Sequence, residues 1–385
     1  MAIETKTNVP SFIDLEDVLA AQEAKRNHQA RDLYPRDGSL GLFSLEEEIA
    51  TYLSVRRGSL LLYNTGMSAV VDALEVNNPT FGTKIVRGAQ QYSQAGGYIS
   101  QDLKQRGAKS YLVDAGSIED LDHVLIKHEP DIVFLETVTN GSEMAVLDVE
   151  QFLKLDSLAR INPVIILDHT LPTSSGKRLS EIIEASQRRV IGVESGTKFI
   201  GMNTEMSGIA YTNNDELLTR LKQRRQRTGS LLSSSAAETI QRVMPRNVDE
   251  YNKRNIRILR NTSRLAQACY SAESGQSGFI VTYPNLPSHP QFEYVKTAYP
   301  DGAAPVFFIQ LTNFAENGHH ELTRALWRND TIRLMCELGQ SFGFDKSRIW
   351  PDDHAPVVRV SGGTYLPKEE IELERAFYLV LSSLK

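Results

Sequence analysis

Lys198 stands in the segment Glu194-Ser195-Gly196-Thr197-Lys198-Phe199-Ile200-Gly201, directly after the apolar run Val190-Ile191-Gly192-Val193. The run reads as a buried strand, so the lysine falls at its end, where burial strips water from the amine. A desolvated ammonium gives up its proton more readily and becomes a nucleophile near neutral pH. Ser195 and Thr197 place hydroxyls on either side of Gly196, and the glycine leaves room for a phosphate between them. The chemistry on offer is a Schiff base between the amine and a carbonyl, beside an anion site. On this octapeptide alone, a surface lysine after a strand is an equal reading.

Thirty residues upstream, Leu167-Asp168-His169-Thr170 closes a second apolar run, Pro163-Val164-Ile165-Ile166-Leu167. A carboxylate at a strand end suits the pyridine nitrogen of pyridoxal phosphate (PLP), whose protonated ring accepts electrons from a substrate carbanion. Alone, Asp168 reads as a helix cap or loop acid. With Lys198 at the end of the following strand, the two form a constellation.

The elements that must position them follow from periodicity. From Leu42 to about Thr239, helical stretches alternate with short β-rich runs, clearest at Ser110 to Asp114, Ile132 to Glu136, Val164 to Asp168 and Val190 to Val193. This alternation predicts an α/β fold with a mostly parallel sheet covered on both faces. Glu136, Asp168 and Lys198 all fall near the C-terminal ends of these runs, where open α/β sheets collect ligands. From about Ile240 to Ala272, Ile256, Ile258, Leu259 and Leu265 recur on a helical period and predict a linker helix. Pro284 to Pro300 reads as loop and Ala304 to Leu311 as a strand. Pro367 starts a terminal helix with Ile371, Phe377, Val380 and Leu384 toward the core. The expected division is an arm over 1–41, a large α/β domain over 42–239, and a linker helix with a smaller α+β domain over 240–385.

Composition narrows the function classes. A net charge of −6 gives no support for nucleic-acid or anionic-membrane binding. The basic run Arg220 to Arg227 reads as the solvated face of a helix. The two cysteines, Cys269 and Cys336, form no disulfide framework and lack metal-ligand spacing. His319-His320, after Asn317-Gly318, reads as an exposed turn, and no metal is expected. The longest apolar run, Ala376 to Leu381, is far too short to span a bilayer. The start lacks the charged-then-apolar pattern of a secretory signal, so a cytoplasmic protein is expected. No dinucleotide or ATP loop motif is present.

Further segments carry a resemblance. Tyr34-Pro35-Arg36, Tyr63-Asn64-Thr65-Gly66-Met67-Ser68-Ala69, Gln91-Tyr92-Ser93, Glu136-Thr137-Val138-Thr139-Asn140-Gly141, Asp168-His169-Thr170, Ser195-Gly196-Thr197-Lys198 and Val358-Arg359-Val360-Ser361-Gly362 follow one another along the chain. In type and order they resemble the motifs of the fold-type I PLP enzymes of cysteine and methionine metabolism, which include cystathionine γ-synthase, cystathionine lyases and methionine γ-lyase. The resemblance implies that fold, that cofactor and a homodimer or homotetramer with shared sites. It implies that Lys198 forms the Schiff base and then moves protons, and that Asp168 pairs with the pyridinium. Ser195, Thr197, Gly66 and Met67 would hold the phosphate, completed by Tyr34 and Arg36 from a neighbouring subunit. Tyr92 would stack on the ring and assist the leaving group, and Asn140 would meet the phenolic oxygen. Arg359 would grip the substrate α-carboxylate, with Tyr34 nearby.

Departures from the pattern fall on the substrate side. Gln94 stands where glycine or cysteine is usual, His169 replaces asparagine, and Glu337-Leu338-Gly339 takes the place of Ser-Leu-Gly. Asp352-Asp353-His354 is read as a loop near the substrate mouth. The expected activity is γ-elimination or γ-replacement on an amino acid carrying a thiolate, acyloxy or halide leaving group at Cγ. The pocket departures point to a non-standard or specialised-metabolism substrate. β-Elimination, transamination and a non-catalytic binding protein of the same fold stay open.

Overall fold

A computed structural model describes residues 38–383, apart from 174–175, 177, 274–277, 313–316 and 353–354. Tyr34, Arg36, Asp353, His354 and Leu384 therefore lie outside the described residues.

The N-terminal part of the described chain forms one sheet from β1 (Leu60–Tyr63), β2 (Lys84–Gly88), β3 (Lys109–Val113), β4 (Ile132–Glu136), β5 (Val164–Asp168), β6 (Val190–Ser195) and β7 (Gly208–Tyr211). Their order is β1-β7-β6-β5-β4-β2-β3. β7 runs antiparallel to both neighbours, and the other pairings are parallel. A parallel sheet covered on both faces needs apolar side chains on both, which is why β4 and β5 read as unbroken apolar runs. Ile132 to Leu135 and Val164 to Leu167 are all fully buried. One apolar cluster lies on each face of the sheet, and the larger continues into the C-terminal part.

That part holds a second sheet of β8 (Phe279–Thr282), β9 (Val306–Leu311), β10 (Cys336–Leu338), β11 (Ser347–Pro351) and β12 (Val357–Ser361), ordered β10-β11-β12-β9-β8. The helix Val248–Glu273 joins the two sheets and packs along the terminal helix Pro367–Ser382. Arg264 ties the pair through Glu370 at 2.8 Å and Glu374 at 3.0 Å.

Four expectations fail. The Pro284 to Pro300 stretch contains the helix Phe292–Ala298, anchored by fully buried Val295. In the terminal helix Ile371 is 54% exposed, and the buried stripe is Leu373, Ala376, Phe377 and Leu381. The basic run lies on the helix Asp215–Thr228 but is not a solvated face. Arg225 is buried against Glu46 and donates to the Leu62 carbonyl, while Arg224 meets Asp72 at 3.0 Å and Glu75 at 3.5 Å. Those acids come from the segments Leu40–Tyr52 and Gly66–Glu75, so the local charge pattern could not reveal them. His319 is buried in the first turn of the helix Gly318–Arg328 rather than in an exposed turn.

Candidate active site

A cavity of about 880 Å³ opens at the C-terminal ends of β4, β5 and β6, roofed by β9, β12 and residues 340–342. Gly66, Met67, Tyr92, Asn140, Asp168, Ser195, Thr197, Lys198 and Arg359 all line it. Residues read from segments far apart in sequence thus meet in one place.

Lys198 sits in the single turn Gly196–Phe199 that follows β6. Its Nζ donates to Ser341 Oγ at 2.9 Å and lies 5.6 Å from the centre of the Phe342 ring. Burial holds its pKa below the ordinary lysine value, and the positive charges of Arg359 and Arg348 lower it further. The amine therefore sheds its proton more easily than an exposed lysine.

Asp168 ends β5, paired in register with Glu136 at the end of β4. One Asp168 oxygen accepts from the Thr170 N–H at 2.9 Å and the Thr170 hydroxyl at 2.6 Å. That hydroxyl in turn accepts from the Ser195 N–H at 2.9 Å, so the ends of β5 and β6 are locked together. Burial raises the Asp168 pKa, which means that the carboxylate is in want of a cationic partner. Glu136 accepts the Tyr92 N–H at 2.6 Å and the Asn140 N–H at 2.7 Å. Burial, then the nearby Asp168 charge, pushes Glu136 up to about 8. Two buried carboxylates at neighbouring strand ends cannot both ionise cheaply, and Glu136 is the one whose charged form the Asp168 charge disfavours.

Arg359 lies mid-strand in β12, 6% exposed, between the rings of Phe308 and Phe342 at 5.8 and 5.7 Å. Its Nη1 donates to Asn140 Oδ1 at 3.0 Å, and its buried Nε has no partner. Burial brings its pKa down to about 10. A buried guanidinium with donors to spare is a site for a carboxylate. Tyr92 lies at the pocket rim, 38% exposed, its hydroxyl pKa raised by burial.

The anion end of the pocket is the N-terminus of the helix Gly66–Leu74. Thr65 caps it by accepting the Ser68 N–H at 2.9 Å, while the N–H groups of Gly66 and Met67 have no helix carbonyl to bond. A Cβ on Gly66 would fall 3.3 Å from the Ser195 side chain. The glycine is the cradle that lets a phosphate reach the N–H groups and the Ser195 hydroxyl together. Helix N-terminus, desolvated lysine and buried carboxylate match the phosphate, carbonyl and pyridinium ends of PLP. The residues present fit the group.

The structure gives several of these residues further partners. The Thr197 hydroxyl is spent within the β6–β7 turn, accepting the Ser207 N–H at 3.0 Å and donating to its carbonyl at 3.2 Å. Asn140 accepts from Arg359 through its amide oxygen, which leaves its amide NH2 as the donor that a phenolic oxygen would need. Glu337 is outside the pocket lining and pairs with Arg348 at 3.1 Å. His169 is buried behind the pocket and does not line it. Sequence reasoning missed Ser341 and Phe342. The available signal was a serine four residues past Glu337, in a stretch with no regular period.

The family model described as Cys/Met metabolism PLP-dependent enzyme matches residues 13–347. The cystathionine beta-lyase of Neurospora crassa is 25% identical over 339 residues, covering 86% of this chain and 70% of the relative. The L-methionine gamma-lyase of Fusobacterium nucleatum is 24% identical over 327 residues, covering 83% and 75%. The crystal structure of metB from Corynebacterium glutamicum superposes with a TM-score of 0.75 at 19% identity, covering 90% of this chain and 86% of that one. That last likeness shows the α/β fold-type I architecture. PLP is the cofactor, and an amino acid is the substrate for elimination or replacement. This chain belongs to the family of PLP-dependent enzymes of cysteine and methionine metabolism.

Proposed function

We propose that the enzyme expels a leaving group from Cγ of an amino acid, by γ-elimination or γ-replacement, and that its substrate is a non-standard, specialised-metabolism amino acid. The observation that carries this reading is the state of Lys198. Its amine rests on a neutral serine hydroxyl and is disfavoured as a cation by burial first and then by two arginines. One mobile base of that kind serves both proton removals that departure from Cγ requires, first at Cα and then at Cβ. When bound, the cofactor supplies an electron-accepting ring that stores the charge left at Cα.

The remaining roles follow from placement. Asp168 keeps a proton at the ring nitrogen. Gly66, Met67 and Ser195 hold the phosphate, and Thr197 fixes the turn that carries Lys198. Arg359 takes the α-carboxylate, oriented by Asn140, so that the Cα–H bond faces Lys198. Tyr92 at the rim assists the departing group. Gln94, Gln340 and Asp352 line the same cavity and favour a leaving group with hydrogen-bonding atoms over a bare thioether. The division near residue 240 separates the unit that binds the cofactor from the unit that supplies Arg359.

The test is product analysis with the purified holoenzyme on amino acids activated at Cγ and at Cβ. A four-carbon keto acid with ammonia, or a thioether when a thiol is added, supports the reading. Pyruvate from Cβ substrates alone would replace it with β-elimination, the second reading, which the relative named as a beta-lyase favours.

We further propose a cytoplasmic homodimer or homotetramer in which Tyr34 and Arg36 complete a neighbour's phosphate site. Among the described residues no helix is long and apolar enough to cross a membrane. Met206 lines the pocket and is 61% exposed, leaving that rim open to a second subunit. Mixing Arg36→Ala with Lys198→Ala subunits should restore activity. No recovery after proven subunit exchange would refute the shared site.

A further inference from the structure

The turn that follows Lys198 holds its backbone in an uncommon shape. Met202 and Asn203 both sit in the left-handed region, at φ of 53° and 54°. Two successive non-glycine residues there are costly, and asparagine is one of the few types that tolerate the shape. Such a conformation persists only where its surroundings hold it, and these positions gather at functional sites. Here the Asn203 N–H donates to the Thr197 carbonyl at 2.8 Å, which curls the turn back toward Lys198.

The curl sends the Asn203 amide across to the C-terminal part of the chain. Its Nδ2 donates to the Phe342 carbonyl at 3.0 Å and lies 3.5 Å from the Lys198 carbonyl. Only the NH2 end of an amide can donate to two carbonyl oxygens, so these partners fix its orientation. Gly343, at φ 83°, comes so near that an added Cβ would fall 2.8 Å from the Lys198 oxygen. Its own carbonyl accepts from Arg254 Nη2 of the helix Val248–Glu273 at 2.9 Å. Between these contacts lie the two side chains that meet the amine. Ser341 Oγ is 2.9 Å from Lys198 Nζ, and the Phe342 ring centre is 5.6 Å from it. Residues 341–343 belong to no helix or strand, so no ladder sets their position and bonds to neighbouring elements must do so.

We propose that Asn203 is a positioning residue for proton transfer: by bonding Phe342 to the turn that carries Lys198, it holds the Ser341 hydroxyl on the Lys198 amine. The amine then has one resting place whenever it is not covalently held. Without the amide, Ser341 drifts from Nζ and the amine loses its acceptor. An acceptor favours the ammonium form, so its loss lowers the Lys198 pKa. The cations that bear on Lys198 are Arg359 on β12 and Arg348 on β11. The acids Glu136, Asp168, Glu194 and Asp352 line the same cavity. All six stay unchanged in every variant below.

The inference rests on Lys198 as the moving base and stands whichever leaving group the enzyme accepts. Its test takes Asn203→Gly, which keeps the left-handed backbone and removes only the amide. In the holoenzyme the acid limb of kcat should move to lower pH by roughly half a unit, with a loss of less than about tenfold in kcat. Combined with Ser341→Ala, it should add little, because losses that act through one contact do not multiply. A second readout needs no turnover. Competitive labelling of the cofactor-free full chain with trace acetic anhydride, followed by peptide mapping, titrates the Lys198 amine itself, and Asn203→Gly should lower its pKa. A lowered amine pKa with an unmoved kinetic limb would uphold the clamp and overturn Lys198 as the base. An unmoved or raised amine pKa, or single losses that multiply in the double variant, overturns the proposal. Should Asn203→Gly fail to fold, Asn203→Asp takes its place in the same cycle, since it tolerates the left-handed backbone and its carboxylate has no donor. Losses that multiply there refute the clamp.

Discussion

The pocket has two walls built on different principles. The cofactor wall is a ladder: Glu136 pairs with Asp168, and Asp168 with Val193, across parallel strands whose interiors are buried throughout. Backbone register alone places these groups, and each fully buried Leu, Ile or Phe behind them contributes about 1.5–3 kcal/mol toward offsetting buried carboxylates. The substrate wall is mixed. Arg359 is fixed by its ladder partners Phe308 and Trp350, but Ser341 and Phe342 come from the irregular stretch between β10 and β11. A wall set by register keeps its geometry when side chains elsewhere change. A wall set by an irregular stretch can exchange one contact residue for another a few positions away. Here Ser341 touches Lys198, while Glu337 pairs with Arg348.

The sharpest ways to break this contrast lie on the ladder wall. Lys198→Ala should lower kcat by roughly 10³-fold or more, since general base and covalent attachment go together. Cofactor should still bind through the helix N-terminus, and borohydride should no longer fix it to the chain. A reduced adduct on another lysine would show that the wrong amine has been assigned. Asp168→Asn should follow, at roughly 10²–10³-fold in kcat with little change in KM, because a fixed charge stabilising a protonated ring acts after the substrate is bound. Loss confined to KM would place Asp168 on the substrate instead.

Arg359→Ala tests the strand of the other wall. A charge-assisted bidentate contact contributes about 1.5–3 kcal/mol, or roughly ten- to more than a hundredfold in kcat/KM. The cofactor absorbance should be nearly unchanged. Arg359 also lowers the Lys198 pKa, so the variant's acid limb should move to higher pH. Wild-type kcat/KM on the true substrate would return Arg359 to a purely structural role.

What could be read from the sequence follows the same division. β4 and β5 were legible to the residue because buried parallel strands announce themselves as unbroken apolar runs ended by the acids that matter. Asp168 and Lys198 were legible because strand ends fix where side chains emerge. Arg225 was misread because its partner Glu46 is distant in sequence and no local pattern encodes the pair. Ser341 was missed for a related reason: an irregular stretch has no period, so contact cannot be projected from spacing. Glu194 stands beside Ser195 in the sequence, but its hydrogen-bond partner Tyr211 reaches it only through the pairing of β6 with β7.

Ser341→Ala is the smallest and most discriminating prediction, because this hydroxyl crosses from the irregular wall to the ladder wall. Its Oγ accepts from Lys198 Nζ at 2.9 Å, and an acceptor stabilises the ammonium over the free amine. Removing it should lower the Lys198 pKa further, so the acid limb of kcat should move to lower pH. A hydrogen bond to a charged group contributes about 1.5–3 kcal/mol, but water can enter so large a cavity and replace much of it. A shift of roughly half to one pH unit and a loss of less than about tenfold in kcat are therefore expected. Ser341→Thr, which keeps the hydroxyl, should restore the wild-type limb. A loss of activity with no movement of the limb, unrescued by threonine, would mean that Ser341 only shapes the stretch near Phe342. The two walls would then act on the substrate independently.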